Sequence, residues 1–588
     1  MSRPQNSRNA AGKGVPFSNS PVLEVKLPVW RSKLLLFVLF TAFASLIARA
    51  FWVQGMDTSF LQKQGESRYV RTLELPATRG KIIDRHSQVL ASSIPVKAIW
   101  AEPDDVLTAS AEKIQELAKL LEMSEVDLRE KLDSDRHSIY LKRQVEQAVA
   151  DKITALKIPG IIMTREYKRF YPESEVMAHV VGFTNIEDKG QEGIELAAEK
   201  NLAGKAGSRR VIKDRLGYIV EDVAAGTNAA PKDGKELQLS IDSKIQYIAY
   251  THLKDALDKH SAKAGAAVVL DVQTGEILAL VNLPTYNPND RKKLTGEMLR
   301  NRVITDTFEP GSPMKSFTVA LALETGRVTP NTVFQTAPGR MTIGTHTISD
   351  SSAHGELTVS QVIQKSSNIG TVKMALQMPP KEMWELFTSL GFGQQPDIGF
   401  PGAVAGRLRN HKNWKPIEQA TMSYGYGLSV SLIQLARSYM VFARDGDMIP
   451  LTLYKTSEKP HAQRIFSEKT AQQMRLMLEA ATQPGGTGTL ARIAGYRVAG
   501  KTGTAHKLEK GKYVKRYVGN FVGFAPASNP RVIVAVMIDD PVSGGYYGGT
   551  VAGPVFAAIM ANVLRSLNIP PDSSVMNIIP DNSVQESM

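Results

Sequence analysis

The chain has 588 residues, 43% of them hydrophobic and 22% charged, with a formal net charge of +13 and no cysteine. That balance suits a folded protein of two or three domains, and zero cysteines exclude disulfides, thiolate catalysis, thiolate metal sites and cysteine-linked lipid. The positive charge fits a negatively charged membrane or cell-wall polymer; with no arginine-rich block, zinc-finger spacing or RNP-like aromatic strand, nucleic acid is not an expected partner.

Residues 1–33 form a basic tail, with Arg3, Arg8, Lys13, Lys26, Arg31 and Lys33 against Glu24. Residues 34–53, LLLFVLFTAFASLIARAFWV, then run for twenty positions with Arg49 as the one charge. As a helix they would extend about 30 Å, enough to cross a bilayer core. Arg49 sits near one end, where its stem can snorkel, and Trp30 and Trp52 flank the segment as interfacial aromatics do. The positive-inside rule keeps the tail in the cytoplasm and exports the rest. The competing reading is a removed signal peptide, because Ala42-Phe43-Ala44 and Ala48-Arg49-Ala50 both resemble cleavage sites.

Residues 54–235 read as a mixed, non-catalytic pedestal. AEKIQELAKLLEMS places Ile114, Leu117, Leu120 and Leu121 at helical spacing, while GSRRVIKDRLGYIVEDV alternates as strands broken by glycine. AAGTNAAPKDGKELQLS, rich in small and turn residues, marks a boundary near 225–235. The second unit, 236–567, opens with AAVVLDVQTGEILALVN, two strands around a turn. SPMKSFTVALALETG follows as a well-covered helix ending at Gly326, and YVGNFVGFAPASNPRVIVAVMIDDP supplies another strand pair. VAGPVFAAIMANVLRSL closes the unit as a helix, and 568–588 read as a poorly ordered tail. Strands at both ends with helices between predict an α+β domain whose termini meet in one sheet.

Three short clusters could carry chemistry. Ser312 and Lys315 lie one helical turn apart after Pro310 and Gly311. Serine is a poor nucleophile until a base takes its proton, and lysine serves only in its neutral form, which burial or nearby positive charge favours. At i and i+3 the two side chains share a helix face, and Pro313 suits a first helical position. The bland reading is a capping serine beside a solvated lysine, and that is the expected role of the second SxxK in the chain, Ser110 with Lys113. Downstream, KSSNIG supplies Ser366 and Asn368, and VAGKTGTA supplies Lys501, Thr502, Gly503 and Thr504. A KTGT stretch reads either as a solvated turn or as an edge strand lining a cleft, with Gly503 leaving room for a substrate backbone.

SPMK, SSN and KTGT in this order resemble the three active-site motifs of penicillin-binding proteins and serine β-lactamases. The resemblance extends over most of the chain. SRYVRTLELPATRGKIIDR, GFTNIEDKGQEGIE, YNPNDRKK, SYGYGLSVSLIQLARSY and DDPVSGGYYGG all look like a class B penicillin-binding protein, closest to the septal peptidoglycan D,D-transpeptidases of Gram-negative cell division. The resemblance implies helices around an antiparallel sheet, with Ser312 as the acylated nucleophile and Lys315 as its base. Ser366 would relay a proton, Asn368 would orient substrate, Lys501 would tune the field, and Thr502 and Thr504 would hold the terminal carboxylate. The backbone N–H groups of Ser312 and Thr504 would form the oxyanion hole. The implied reaction transfers an acyl group from a D-Ala-D-Ala stem peptide to a neighbouring amine, needs no cofactor or metal, and is blocked by β-lactams. Implied partners are a membrane-embedded glycan polymerase, other division proteins and the inner membrane. Ser87 departs from the pattern, standing where the family usually has a glycine that favours a left-handed turn.

Overall fold

The computed structural model describes residues 28–56, 70–213, 219–222 and 228–574. The basic side chains expected from Arg3 to Lys26 lie outside that range, as do residues 575–588. Helix α1, Val29–Phe51, starts five residues before the uncharged run and continues as a π turn over Trp52–Met56. Arg31 and Lys33 are good helix formers, so the helix begins where Pro28 sets its cap rather than where charge stops. The apolar helix Val29–Gly55 is unburied and long enough to cross a membrane.

The described residues fall into two compact units, one drawn from Met1–Leu75 and Gly207–Ala230, the other from Pro76–Ala206 and Pro231–Met588. The block expected at 54–235 is thus divided between them. In the first unit, Val70–Leu75, Gly207–Lys213 and Ile219–Asp222 pair as a three-stranded antiparallel sheet.

The second unit begins with a small mixed layer. Its strand Val89–Ala101 pairs with Ile139–Val145 and Ile161–Phe170, and the helix Ala111–Leu120 buries Ile114, Leu117 and Ala118 over them. Ser110 stands at that helix's N-cap without a capping hydrogen bond and Lys113 is exposed, so this SxxK is an ordinary helix start. A buried ionic knot explains part of the ATRGKIIDR stretch. Glu195 bonds both Arg79 and Arg169, the latter at 2.6 Å, and Arg79 also reaches Glu199 at 2.7 Å. Nearby, Ser87 adopts φ 69 in the turn that usually takes glycine. The Asp84 carboxylate holds the turn, accepting from His86 N at 2.7 Å and Gln88 N at 2.8 Å. The turn survives the serine, at a left-handed cost of about 1–2 kcal/mol.

The larger part of the second unit is built on helix α2 (Ser243–His260), strands β1 (Ala264–Asp271) and β2 (Ile277–Leu283), helices α3 (Lys315–Glu324), α4 (Val359–Lys365) and α5 (Asn368–Ala375), strands β3 (Ala499–Glu509), β4 (Lys512–Ala525) and β5 (Val532–Asp539), and helix α6 (Gly553–Ser566). The five strands form one antiparallel sheet in the order β2-β1-β5-β4-β3. First and last strand pairs therefore meet at the centre, as expected. Alternate residues of β1 serve two cores: Ala267 and Val269 face α2 and α6, while Ala266, Val268 and Leu270 join the core that holds Phe317 of α3. Cover on both faces is why β1 reads as a continuous apolar run.

The tail expected to loosen at 568 is tied down through Asp572, which accepts from Arg497 N at 2.7 Å and Ser528 Oγ at 2.6 Å. Tyr496 OH also donates to the Ile569 carbonyl at 2.7 Å. A Pro-rich polar segment reads as loose in sequence, but these bonds tie residues 569–572 to the body of the domain.

Candidate active site

The nucleophile turn is set by glycine. Gly311 has φ +66, and a Cβ added there would sit 3.1 Å from the Thr504 carbonyl oxygen. Gly425 comes closer still: its Cβ would lie 2.1 Å from the Gly311 carbonyl oxygen. These approaches bring the turn against β3 and leave no room for side chains. Ser312–Met314 then form one 3₁₀ turn that runs into α3 at Lys315. Tyr439, buried beneath, donates from its hydroxyl to the Pro313 carbonyl at 3.2 Å, and burial pushes its pKa up so that it stays a donor.

Ser312, Lys315 and Ser366 form a closed hydrogen-bonded triangle. Lys315 Nζ lies 2.9 Å from Ser312 Oγ and 3.0 Å from Ser366 Oγ, and Ser366 Oγ lies 2.9 Å from Ser312 Oγ. Lys315 also donates to the Ser366 carbonyl. Ser366 can present both oxygens because it caps α4 in the left-handed conformation, φ 59. Lys315 has no exposed surface and Ser312 is 4% exposed. That burial separates this SxxK from Ser110 and Lys113, which share its letters.

Asn368 opens α5, and its Nδ2 donates to the Ser349 carbonyl at 2.8 Å. Asp350 holds the whole SSN loop. Its Oδ1 accepts from Asn368 N at 2.6 Å and Ile369 N at 3.0 Å, while Oδ2 accepts from Ser367 Oγ at 2.7 Å. Ser367 in turn caps the helix by accepting from Gly370 N.

KTGT lies on β3, the edge strand of the sheet. Lys501 Nζ is 3.3 Å from the hydroxyls of Thr487 and Thr502, which are 2.9 Å from each other. Thr504 Oγ1 accepts from Gly548 N at 2.9 Å. Gly503 requires a correction. The space its missing side chain leaves is filled by the protein: a Cβ there would stand 2.5 Å from Asn520 Oδ1 and 2.6 Å from the Pro310 carbonyl oxygen. Gly503 therefore admits the loop before Ser312, and Asn520 Nδ2 fastens that loop by donating to the Pro310 carbonyl at 3.2 Å.

The structure thus joins Ser312, Lys315 and Ser366 directly and holds Asn368 and the KTGT strand through other residues. Asp350, Thr487 and Asn520 were not legible as functional: Asp350 sits in ISDSS, which carries no period, and Thr487 in a glycine-rich stretch that reads only as loop.

Comparison with known proteins decides the family. The penicillin binding protein transpeptidase domain matches residues 265–561, and the penicillin-binding protein dimerisation domain matches 74–239. The chain is 45% identical over 554 residues to the probable peptidoglycan D,D-transpeptidase PenA of Neisseria gonorrhoeae, covering 93% of this chain and 95% of that one. The chain belongs to the penicillin-binding protein transpeptidase family. Within that family it is also 41% identical over 551 residues to the peptidoglycan D,D-transpeptidase FtsI of Escherichia coli strain K12, covering 92% and 93% of the two chains. Among solved structures, the transpeptidase domain of Burkholderia pseudomallei penicillin-binding protein 3 is 55% identical with a TM-score of 0.53, covering 57% of this chain and 98% of that one.

Proposed function

We propose that this penicillin-binding protein is a peptidoglycan D,D-transpeptidase that crosslinks stem peptides through an acyl-enzyme on Ser312. The observation that carries the reading is the Ser312 Oγ set 2.9 Å from both Lys315 Nζ and Ser366 Oγ. Neutral Lys315 takes the Ser312 proton as Oγ attacks the penultimate D-alanine carbonyl. The backbone N–H groups of Ser312 and Thr504 stabilise the resulting oxyanion, a role supported by the close approach of their two segments at Gly311. As the C–N bond breaks, the proton passes by way of Ser366 to the departing D-alanine amine. A second stem-peptide amine then attacks the ester, gives up its proton to the same relay and restores Ser312. Asn368 orients the donor, Lys501 supplies positive field, and the Thr502 and Thr504 hydroxyls hold the terminal carboxylate. A β-lactam follows the first step and stays attached.

The reading extends to the cell. Helix α1 serves as a single-pass inner-membrane anchor, the basic tail faces the cytoplasm and the catalytic body lies in the periplasm, as charge asymmetry favours. The division role follows from likeness to the septal enzymes, with glycan strands supplied by a membrane glycan polymerase and other division proteins as partners.

The test is intact-protein mass after benzylpenicillin treatment of the full-length, detergent-solubilised protein and its Ser312→Ala variant. The expected result is one stable adduct on the parent and none on the variant. Rapid loss of the adduct would favour a β-lactamase, and a folded parent with no adduct would sink the acyl-enzyme.

A further inference from the structure

A cavity of about 420 Å³ opens between the short helix Gly193–Ala197, residues 299–305 and the loop at 400–402. None of its lining residues belongs to the SPMK, SSN or KTGT clusters. Leu196, Tyr286, Leu299, Phe400 and Pro401 make the wall largely apolar. A concave, mostly apolar space of this size with few polar groups is the usual form of a small-ligand site.

Most polar groups along the wall are occupied by the protein. Tyr286 OH donates to the Ala178 carbonyl at 2.9 Å. Arg300 is held by Asp306, at 2.6 Å from Nη2 and 3.1 Å from Nε. Asn301 donates to the His179 carbonyl at 3.3 Å and accepts from Asn282 at 2.9 Å, and Thr305 donates to the Asn301 carbonyl at 3.0 Å. His179 donates to the Met298 carbonyl at 2.7 Å, and burial lowers its pKa to about 4, so it is uncharged at neutral pH. Glu192 is different. Its half-buried carboxylate has no hydrogen bond or ion pair among the described residues. The backbone that carries it is fixed: the Glu192 carbonyl accepts from Leu196 N at 3.2 Å. Gly182 packs so closely that a Cβ there would come within 1.8 Å of the same carbonyl oxygen.

We infer that this cavity binds an organic cation, an ammonium or guanidinium on a compact apolar body, with Glu192 as its counter-ion. The site is separate from the Ser312 chemistry and does not depend on it. A carboxylate partly withdrawn from water without a donor costs free energy, and an arriving N–H cation recovers it. Burial accordingly pushes the Glu192 carboxyl above its ordinary range, and a bound cation would bring it back. A neutral apolar molecule would cover the carboxylate further and offer it no donor. An anion would meet Glu192 while Arg300, the permanent cation of the wall, is committed to Asp306. Two sources share the favoured chemistry, a free amine and a basic side chain of another polypeptide.

The test is a ligand-observed NMR titration of the full-length, detergent-solubilised protein with phenethylammonium, with phenethyl alcohol and hydrocinnamate as neutral and anionic controls. The parent is expected to bind the ammonium about tenfold more tightly than the alcohol and to show no saturable binding of the anion. Glu192→Gln keeps the shape, removes the charge, and should weaken the ammonium about tenfold while leaving the alcohol unchanged. Leu196→Arg, at an exposed position on the wall, brings in a tethered guanidinium and should exclude the ammonium as well. Unchanged melting points verify that both variants fold. The capped tripeptide acetyl-Ala-Arg-Ala-amide separates the sources. If it binds as tightly as the amine, the site takes a side chain of another polypeptide; if the amine alone binds, it takes a free small molecule. No saturable binding of the ammonium by the parent, or equal binding by the parent and Glu192→Gln, would overturn the inference.

Discussion

Asp350 serves three donors at the start of α5, and no other single side chain described around the site orders so much backbone. Replacing it by alanine leaves two amide N–H groups and a hydroxyl without that carboxylate, at about 1–3 kcal/mol. The larger effect should fall on Asn368 and on Ser366, two residues upstream. A shift of about 1 Å in that loop can cost a hundredfold in rate. Asp350→Ala is therefore expected to slow acylation of Ser312 by benzylpenicillin tenfold to about a hundredfold, measured by stopped-flow competition. An unchanged rate would show that Ser367 alone keeps the loop in place. Ser87 makes a quieter point at the same scale. The missing glycine cast doubt on a turn, yet the Asp84 bonds hold serine at φ 69.

Among the elements, β3 carries the four KTGT residues on an edge and is pressed against the Pro310 loop at Gly503. Gly503→Ala forces a Cβ to within 2.6 Å of the Pro310 carbonyl oxygen, which is backbone and cannot swing aside. Overpacking of that kind costs about 1–3 kcal/mol. The variant should melt earlier and acylate more slowly, and thermal unfolding paired with adduct formation would reveal both. Normal acylation with a lowered melting point would confine Gly503 to stability. The helices and strands of the larger part of the second unit were legible because of their patterning: α3 is mostly apolar and buried along nearly all its length, and β1 and β5 are buried on both faces. The pairing of Ser312 with Lys315 was legible from one helical turn of spacing. What completes the triangle, the left-handed Ser366 and the Asp350 bonds behind it, lies in irregular loops with no period to read. Gly503 was read for its freedom, and its contacts corrected the reason. The tail near Asp572 misled because its composition resembles loose chain while its bonds are long-range.

Across the whole molecule, pH should act through His179. It is buried and its Nε2 donates to the Met298 carbonyl at 2.7 Å, while burial lowers its pKa to about 4. In the unfolded chain it titrates near 6.5. Above that value the imidazole is neutral in both states and its contribution is fully present. As pH falls from about 6.5 toward 4, the unfolded chain binds a proton that the folded one refuses, and stability drops by roughly 3 kcal/mol in total. Denaturant midpoints at pH 7.5, 6.5, 5.5 and 5.0 should decline in the parent and decline less in His179→Gln. Equal slopes would assign the pH dependence to other groups.

The sheet has a further consequence, for how the protein comes into being. β1 is hydrogen-bonded to β5, a partner about 260 residues later in the chain. Contacts that distant are slow to form, because the intervening loop must close before they return any free energy. A growing chain that already holds Ser312, Lys315, Ser366 and Asn368 has no central ladder and no β3. The three motif clusters are thus brought together only once the last strands exist, so an unfinished copy lacks the sheet against which the Ser312 turn packs.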